Sequence, residues 1–138
     1  MACQKPKLAY KHMKPIEIKT LITHEDERGV LVELFKFPQC GQINLITTRP
    51  GFVRGNHYHT RKRELFCVID GAVQLDLKNR ADNKKETYLL SSDVFQAVEV
   101  LPGWIHNIQA VGGKTAKVLI WNNEIFDPND ADTYPEQI

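Results

Sequence analysis

Residues 51–71 decide the fold of this chain, and they read GFVRGNHYHTRKRELFCVIDG. His57 and His59 are two positions apart, so on a β-strand their side chains face the same side. Glu64 opens the next apolar run after a short polar turn, which allows its carboxylate to reach the two imidazoles. Two histidines and one carboxylate form a common ligand set for zinc, iron or manganese. The stretch therefore predicts a converging site on neighbouring strands.

A later segment, LPGWIHN at residues 101–107, adds a third histidine. Its Pro-Gly pair predicts a tight turn, and the strand after that turn supplies His106 as a fourth candidate ligand. Any one of these histidines alone is more often a surface residue or a satisfied core residue. The combination of the two segments favours a functional site.

Short apolar segments continue along the rest of the chain. Each has about the length of a strand, is rich in Val, Ile, Phe and Leu, and is bounded by Gly, Pro, Asn or Asp. The segments are 30–37, 42–47, 65–69, 72–77, 87–90, 95–100, 104–110 and 116–121. None shows a convincing 3.6-residue period. The pattern predicts an all-β sandwich or barrel.

Length and composition predict one globular domain. A chain of 138 residues can bury a core without disulfides. Hydrophobic residues make up 42% and charged residues 25%, which is typical of a folded protein. A net charge of +1 gives no electrostatic case for nucleic acid or an anionic membrane surface as a partner. We expect residues 1–15 to form an extension and residues 16–138 the folded domain.

The cysteines and the apolar runs bear on the compartment. Cys3, Cys40 and Cys67 are odd in number and irregular in spacing, which is not the pattern of a disulfide framework. The polar, lysine-rich start is unlike a signal peptide, and no run approaches the roughly 20 apolar residues of a membrane span. We therefore expect a reduced, cytoplasmic protein.

Two motifs carry a resemblance to a known superfamily. The pattern Gly-x5-His-x-His-x4-Glu-x6-Gly, followed by Gly-x2-His, resembles the two motifs of the cupins. This implies a small jelly-roll β-barrel with the four side chains pointing inward. The segment RGNH at residues 54–57 resembles the Arg-Gly-x-His of two cupin families that act on nucleotide sugars. These are the dTDP-4-dehydrorhamnose 3,5-epimerases and the dTDP-4-keto-6-deoxyhexose 3,4-ketoisomerases.

The tail resembles a more specific group. Residues 121–134, WNNEIFDPNDADTY, are similar to the end of the C-terminal cupin domain of bifunctional capsular polysaccharide enzymes, and DERG at residues 26–29 fits their D-x-R-G segment. In that family the cupin domain epimerises a UDP-linked 4-keto-6-deoxy amino sugar at C3, binds zinc, and is joined to an NAD(P)-dependent reductase domain. This sequence departs in lacking the reductase domain. It contains no Gly-rich dinucleotide fingerprint, so we expect no nicotinamide or flavin cofactor.

The resemblance implies an isomerase that epimerises a dTDP- or UDP-linked 4-keto-6-deoxyhexose at C3, C5 or both. It implies a divalent metal, zinc, held by His57, His59, Glu64 and His106. The reaction needs a base, a stabiliser for the enolate and an acid. By resemblance to the 3,5-epimerases His57 is the candidate base, but a histidine bound to zinc cannot also accept the proton. Tyr134 is a candidate for the acid that returns the proton.

Further residues are candidates for binding the substrate. Arg54 suits a diphosphate, because its planar guanidinium matches paired phosphate oxygens. Arg61 begins a basic run that continues with Lys62 and Arg63, two residues for which a solvated turn is the more common explanation. Trp104 can stack on a nucleobase, although core packing explains it equally well.

Three alternative functions stay open. A 3,4-ketoisomerase would share the fold and the substrate class, but those enzymes usually lack the motif glutamate, which is present here as Glu64. Small cupin dioxygenases bind iron with the same ligand set, and a non-catalytic sugar-binding cupin would use the same pocket. Cupins of this size commonly pair as C2 dimers that exchange an N-terminal strand. Residues 16–22 alternate in polarity as such a strand does, so we expect a homodimer.

Overall fold

Eleven β-strands form the regular structure of residues 20–138, the part of the chain that the computed structural model describes. No helix occurs in that part, which confirms the prediction of an all-β fold. The described residues accordingly contain no helix long and apolar enough to cross a membrane. The strands in chain order are β1 (Thr23–Asp26), β2 (Gly29–Phe37), β3 (Gly41–Thr48), β4 (Val53–Tyr58), β5 (Glu64–Asp70), β6 (Ala72–Asn79), β7 (Lys85–Ser91), β8 (Ala97–Val100), β9 (Trp104–Ala110), β10 (Ala116–Asn122) and β11 (Tyr134–Pro135).

The strands build two antiparallel sheets. One has the order β1-β2-β3-β10-β5-β8, and the other has the order β11-β4-β9-β6-β7. Neighbours such as β3 and β10 are far apart in sequence, which is the crossing connectivity of a jelly roll. The structure confirms the predicted cupin-type barrel.

Alternating side chains explain why these segments form strands around a core. On β6, Val73, Leu75 and Leu77 are buried, whereas Gln74 and Asp76 between them are only partly buried. The same period of two runs along β5 and β10 and places one apolar face of each strand inside the barrel. The core thus forms between the two sheets from residues of both.

Three of the observed strands, β1, β4 and β11, were not among the apolar segments from which the fold was predicted. β1 and β11 are short and exposed, and β4 carries a polar interior face. The predicted domain boundary at residues 15 and 16 lies outside the described residues, as does most of the predicted exchanged strand. The described part of that strand, residues 20–22, is not in strand conformation.

The cysteines depart from the expected reduced state at one position. Cys67 on β5 is free and partly buried, in line with its place in an apolar run. Cys40 is disulfide-bonded, so the expectation of unpaired thiols is wrong for this residue.

Candidate metal centre

A β-bulge in β4 turns His57 into the barrel. The register of β4 against β9 shifts between Gly55 and His57, where Gly55 and Asn56 have positive φ angles of 97° and 55°. In a regular strand of the same length, Arg54 and His57 would face opposite sides of the sheet, since they are three positions apart. Because the bulge places two residues of β4 opposite one of β9, both line the same cavity. A Cβ atom on Gly55 would lie 2.6 Å from the carbonyl oxygen of His106, so glycine is required here.

His57, His59, Glu64 and His106 come together inside the barrel, and one ligand atom of each lies within 4.8 Å of the others. The ring of His57 lies 4.9 Å from that of His59 and 4.7 Å from that of His106, measured between centroids. Glu64 Oε2 lies 2.9 Å from His106 Nε2 and 3.3 Å from His59 Nε2. Three strands and one turn thus present four donor groups to one point.

The donor atoms of this cluster fit a divalent metal ion. Glu64 Oε2 and His59 Nε2 are buried, and despite their ion-pair distance neither has a hydrogen-bond partner. A buried polar atom left unpaired costs about 1–3 kcal/mol, so such atoms call for a ligand or another explanation. Three imidazole nitrogens and a carboxylate oxygen are donors that zinc, iron and manganese all accept. The four residues can therefore hold a metal, and the donor set alone does not select zinc.

Burial and mutual charge set the protonation of the cluster. Burial, reinforced by the neighbouring His106 and His59, lowers the pKa of His57 to about 3. Burial opposes ionisation of Glu64, but His106 and His59 hold its pKa well below the ordinary range of a glutamate. Burial also opposes a charge on His59, yet Glu64 raises the pKa of this histidine. Near neutral pH the cluster holds a neutral His57 and an ionised Glu64, the forms that bind a metal.

A chain of side-chain amides lies behind Glu64. Asn122 Nδ2 donates to Glu64 Oε1 at 2.6 Å, and Asn122 Oδ1 accepts from Asn44 Nδ2 at 3.3 Å. Asn44 Oδ1 in turn accepts from Gln42 Nε2 at 2.7 Å. These hydrogen bonds fix which end of each amide donates and which accepts. Because Asn122 occupies Glu64 Oε1, Oε2 stays directed at the histidines.

Two backbone carbonyls lie behind the histidines. The carbonyl oxygen of Asp132 lies 2.5 Å from His59 Nδ1, and that of Trp104 lies 3.3 Å from His106 Nδ1. A carbonyl oxygen only accepts, so each contact favours a proton on Nδ1 and a free lone pair on Nε2. Both Nε2 atoms face Glu64.

Two cavities adjoin the cluster, and His57 and Glu64 line both. The arginine cavity, of about 260 Å³, is lined by Arg28 and Arg54. The lysine cavity, of about 330 Å³, is lined by Lys62, by the carboxylates of Glu33 and Glu124, and by aromatic and polar side chains. The two cavities thus share part of their walls with the cluster, and each also carries a cationic side chain.

Lys62 is buried, which corrects its interpretation as part of a solvated turn. Only 4% of its surface is exposed, its Nζ donates to the carbonyl of Ala131 at 2.5 Å, and Nζ lies 5.3 Å from the centre of the Phe126 ring. Its neighbours Arg61 and Arg63 are exposed. The sequence did carry a signal: Lys62 is two positions before Glu64, on the side of the chain that turns inward.

The other predicted site residues are distributed unevenly. Arg54 is partly buried, and its Nε donates to the carbonyl of Thr47 at 3.0 Å. Arg61 is exposed, with its guanidinium 3.0 Å from the carboxylate of Glu124. Trp104 packs against the core and lines a separate pocket, and Tyr134 is exposed and stacks on a tyrosine of β4. The structure brings Arg54 to the arginine cavity but does not bring Arg61, Trp104 or Tyr134 to either cavity.

Arg28 is a cavity residue for which the sequence analysis proposed no role. It lies in the β1–β2 turn, where its Nε donates to Asp26 Oδ2 at 3.0 Å. That carboxylate orients the guanidinium, and the side chain lines the arginine cavity. Its place in the motif DERG was the signal, but the motif alone does not say which way the side chain points.

Residues 24–134 match the protein family described as the polysaccharide biosynthesis C-terminal domain. The chain belongs to this family. One relative is the UDP-2-acetamido-2,6-beta-L-arabino-hexul-4-ose reductase of Pseudomonas aeruginosa. It is 38% identical over 111 residues, which cover 80% of this chain and 30% of the relative. Another is the spore coat polysaccharide biosynthesis protein SpsL of Bacillus subtilis, 24% identical over 127 residues, which cover 85% of this chain and 84% of SpsL.

A solved structure supports the assignment to the polysaccharide biosynthesis C-terminal domain. The capsular polysaccharide assembling protein CapF of Staphylococcus aureus superposes with a TM-score of 0.84 at 33% identity, over 88% of this chain and 33% of CapF. The chain thus spans about a third of the length of CapF and of the Pseudomonas reductase. These matches confirm the resemblance to the C-terminal domain of capsular polysaccharide enzymes.

Proposed function

We propose that this polysaccharide biosynthesis C-terminal domain is a homodimeric, cytoplasmic isomerase. It epimerises a dTDP- or UDP-linked 4-keto-6-deoxyhexose at C3, C5 or both, for surface polysaccharide. One observation carries the proposal: a metal-ligand cluster with a neutral imidazole borders two cavities that also carry arginine and lysine side chains. The name of the Pseudomonas relative, a reductase of a UDP-linked hexul-4-ose, supports the substrate class.

The proposed reaction moves only protons. A base removes the proton from the carbon beside the keto group, the C–H electron pair forms a carbon–carbon double bond, and the carbonyl oxygen takes up the negative charge. Return of a proton to the opposite face of the same carbon restores the ketone with inverted configuration. The site must therefore supply a base, positive charge near the oxygen, and an acid.

His57, His59, Glu64 and His106 would hold the metal, for which we propose zinc. When bound, a divalent metal supplies a Lewis acid that polarises the keto oxygen. The chain's own part is to fix the four donors, and the hydrogen bonds behind Glu64 and His59 do this.

Two imidazoles are candidates for the base. His57 faces both cavities, but a pKa of about 3 makes it a weak base and favours its role as a ligand. His24 lines the lysine cavity, and its Nε2 lies 3.1 Å from Glu33 Oε2. An imidazole oriented by a carboxylate is a common arrangement for proton transfer, so His24 takes this role if His57 binds the metal.

Positive side chains would hold the two negative parts of the reacting molecule. Arg54, with Arg28 beside it in the arginine cavity, suits the diphosphate. The Lys62 ammonium in the wall of the lysine cavity suits the oxygen that becomes negative in the enolate. The substrate would then span the cluster from one cavity to the other.

Deuterium exchange tests the proposal. Incubation in D2O with dTDP- and UDP-linked 4-keto-6-deoxyhexoses should place deuterium at C3, C5 or both, as read by NMR. Exchange at neither carbon with either nucleotide would contradict an epimerase. A shifted carbonyl would instead indicate a 3,4-ketoisomerase, and bound iron with oxygen uptake would indicate a dioxygenase.

Metal content separates the two roles of His57. We expect His57→Asn to abolish exchange while the fold is kept. If this variant also loses zinc, measured by elemental analysis, His57 is a ligand, whereas retained zinc makes His57 the base. His24→Gln should keep its zinc in either case. It should lose exchange if His57 is a ligand, and keep exchange if His57 is the base. Loss of zinc in His106→Ala is expected in either case.

A further inference from the structure

Asp132 connects the C-terminal segment, residues 124–135, to the turn between β4 and β5. Its carboxylate accepts hydrogen bonds from the backbone N–H groups of Thr60 at 2.9 Å, Arg61 at 2.8 Å and Lys62 at 3.0 Å. It also accepts one from the Thr60 hydroxyl at 2.5 Å. Only 3% of Asp132 is exposed. A buried carboxylate that accepts four hydrogen bonds fixes the turn that presents the donors.

The main chain of the same residue fixes a candidate metal ligand. The Asp132 carbonyl, 2.5 Å from His59 Nδ1, holds the ring so that Nε2 faces Glu64. Asp132 reaches this position with a φ of 46°, in the left-handed region where Asp is tolerated better than most residues. One residue therefore orients the ring of His59 with its carbonyl and the following turn with its side chain.

The turn matters because it joins two ligands. Residues 60–63 lead from His59 directly to Glu64, and Asp132 binds three of their four backbone N–H groups. The separation of 3.3 Å between His59 Nε2 and Glu64 Oε2 depends on the path of this turn. Loss of the Asp132 contacts would let the ring of His59 rotate and let its distance from Glu64 vary.

The rest of the segment is attached through several other contacts. The Ala131 carbonyl accepts from Lys62 Nζ at 2.5 Å, and the carboxylates of Glu124 and Asp130 lie 3.0 and 3.1 Å from the guanidinium of Arg61. β11 pairs with β4 over two residues, with Tyr134 opposite Tyr58 and Pro135 opposite His57. The N–H of Phe126 donates to the side chain of Gln42 at 3.1 Å. Asp132, with five hydrogen bonds to residues 59–62, is the strongest attachment among these.

We propose that Asp132 is a positioning residue that couples docking of segment 124–135 to metal binding at the cluster. The docked segment raises the metal affinity, and bound metal holds the segment in place, because a coupling between two equilibria acts equally in both directions. Partners behind metal-bound histidines change metal affinity by about 10- to 100-fold. The inference rests on the metal site of the proposed function and not on its epimerase reaction.

Zinc affinity of two matched variants of the full chain tests this coupling. Asp132→Asn keeps the size and the tolerance of positive φ but replaces an acceptor oxygen with an amide that faces N–H donors. Asp127→Asn is the control, since Asp127 lies in the same segment and its carboxylate accepts from the nearby N–H of Asn129 at 2.9 Å. Competition with a chromophoric chelator should give about 10- to 100-fold weaker zinc binding for Asp132→Asn and wild-type affinity for Asp127→Asn. Equal affinity in all three proteins overturns the proposal, as does a wild type that binds no zinc.

A second measurement needs no variant. Chymotrypsin cleavage after Phe126, which is 49% exposed, reports opening of the segment. Saturating zinc should slow this cleavage in the wild type by about tenfold or more, and slow it less in Asp132→Asn, as followed by mass spectrometry. The same cleavage rate with and without zinc overturns the coupling even if Asp132→Asn does not fold. A protein that exchanges deuterium on its sugar but shows no protection would refute this inference alone.

Discussion

Asn122 Nδ2 donates to Glu64 Oε1 at 2.6 Å, between two buried side chains. The two residues face each other across the β5–β10 ladder, so the strand register itself sets the contact. The hydrogen bond satisfies one carboxylate oxygen and leaves Oε2 for the histidines. It therefore supports both the stability of a buried charge and the direction of a candidate ligand.

Asn122→Asp should destabilise the fold by about 1–3 kcal/mol, because it replaces the donor by a second carboxylate and leaves Glu64 Oε1 unpaired. Urea unfolding of the chelator-treated protein near neutral pH measures the change. Asn123→Asp is the matched control. Asn123 is exposed, and its side-chain oxygen accepts a hydrogen bond from the N–H of Arg63 at 2.9 Å, which an aspartate can also accept. A free energy of unfolding for Asn122→Asp equal to that of the control would contradict the role of this hydrogen bond.

Acid should destabilise the metal-free protein in part through His57. Its pKa falls from the ordinary 6.5 to about 3 on folding, mainly because it is buried. Between these values the unfolded chain binds a proton that the folded protein does not, so stability decreases as the pH falls through this range. The slope for one group is at most about 1.4 kcal/mol per pH unit.

His57→Gln isolates this contribution. His59, whose pKa is raised by Glu64, acts in the opposite sense, and the difference between wild type and variant removes its effect to first order. Urea unfolding of both proteins across the acidic range should give a flatter profile for His57→Gln. Parallel profiles would show that His57 titrates in the folded protein as it does in the unfolded chain.

Lys62→Met should slow deuterium incorporation into the sugar by about a hundredfold or more, the usual cost of removing one group that stabilises an oxyanion. At saturating zinc the metal content should stay unchanged, because Lys62 is not a ligand. Arg63→Met is the control: Arg63 is exposed, and its guanidinium pairs with Glu99. Lys62→Arg should restore part of the rate, since it keeps the charge. An unchanged rate in Lys62→Met would remove the ammonium from the proposed mechanism.

Gly55→Ala and Gly51→Ala should separate backbone strain from steric conflict. Both glycines have positive φ, 97° and 84°. A Cβ at Gly51 meets nothing within 4 Å, so Ala there adds strain alone, about 1–3 kcal/mol. A Cβ at Gly55 meets the carbonyl of His106 at 2.6 Å, and overpacking adds about a further 1–3 kcal/mol. Thermal unfolding compares the two, and equal losses would contradict the steric part.

The fold was predictable where side chains alternate. Runs such as 72–77 and 116–121 carry apolar residues at every second position, and both are strands with one buried face. β4 was not predictable in this way, because its inward side carries Arg54 and His57 where other strands carry Val or Leu. β11 escaped because two residues with exposed side chains leave no pattern.

The ligand cluster was predictable from spacing, but its supports were not. His-x-His and a following glutamate are adjacent in sequence, so strand geometry brings them together. Asp132 acts on His59 from more than 70 positions away, through a carbonyl that every residue type possesses. The burial of Lys62 depends on another carbonyl, that of Ala131, and on the Phe126 ring. Contacts made through main-chain atoms at long range leave no signature in residue types.

The bulge at Gly55 and Asn56 decides which side chains of β4 face the inside of the barrel. If β4 kept its length but ran through residues 55 and 56 as a regular strand, every side chain would stay chemically intact, yet the residues after the bulge would exchange the inward side for the outward side. Tyr58 would then enter the cavity, and His57 would face outward. Chemistry in this domain thus depends on two residues of β4 lying opposite one of β9, and loss of the bulge at constant length would abolish the site while the hydrophobic core is conserved.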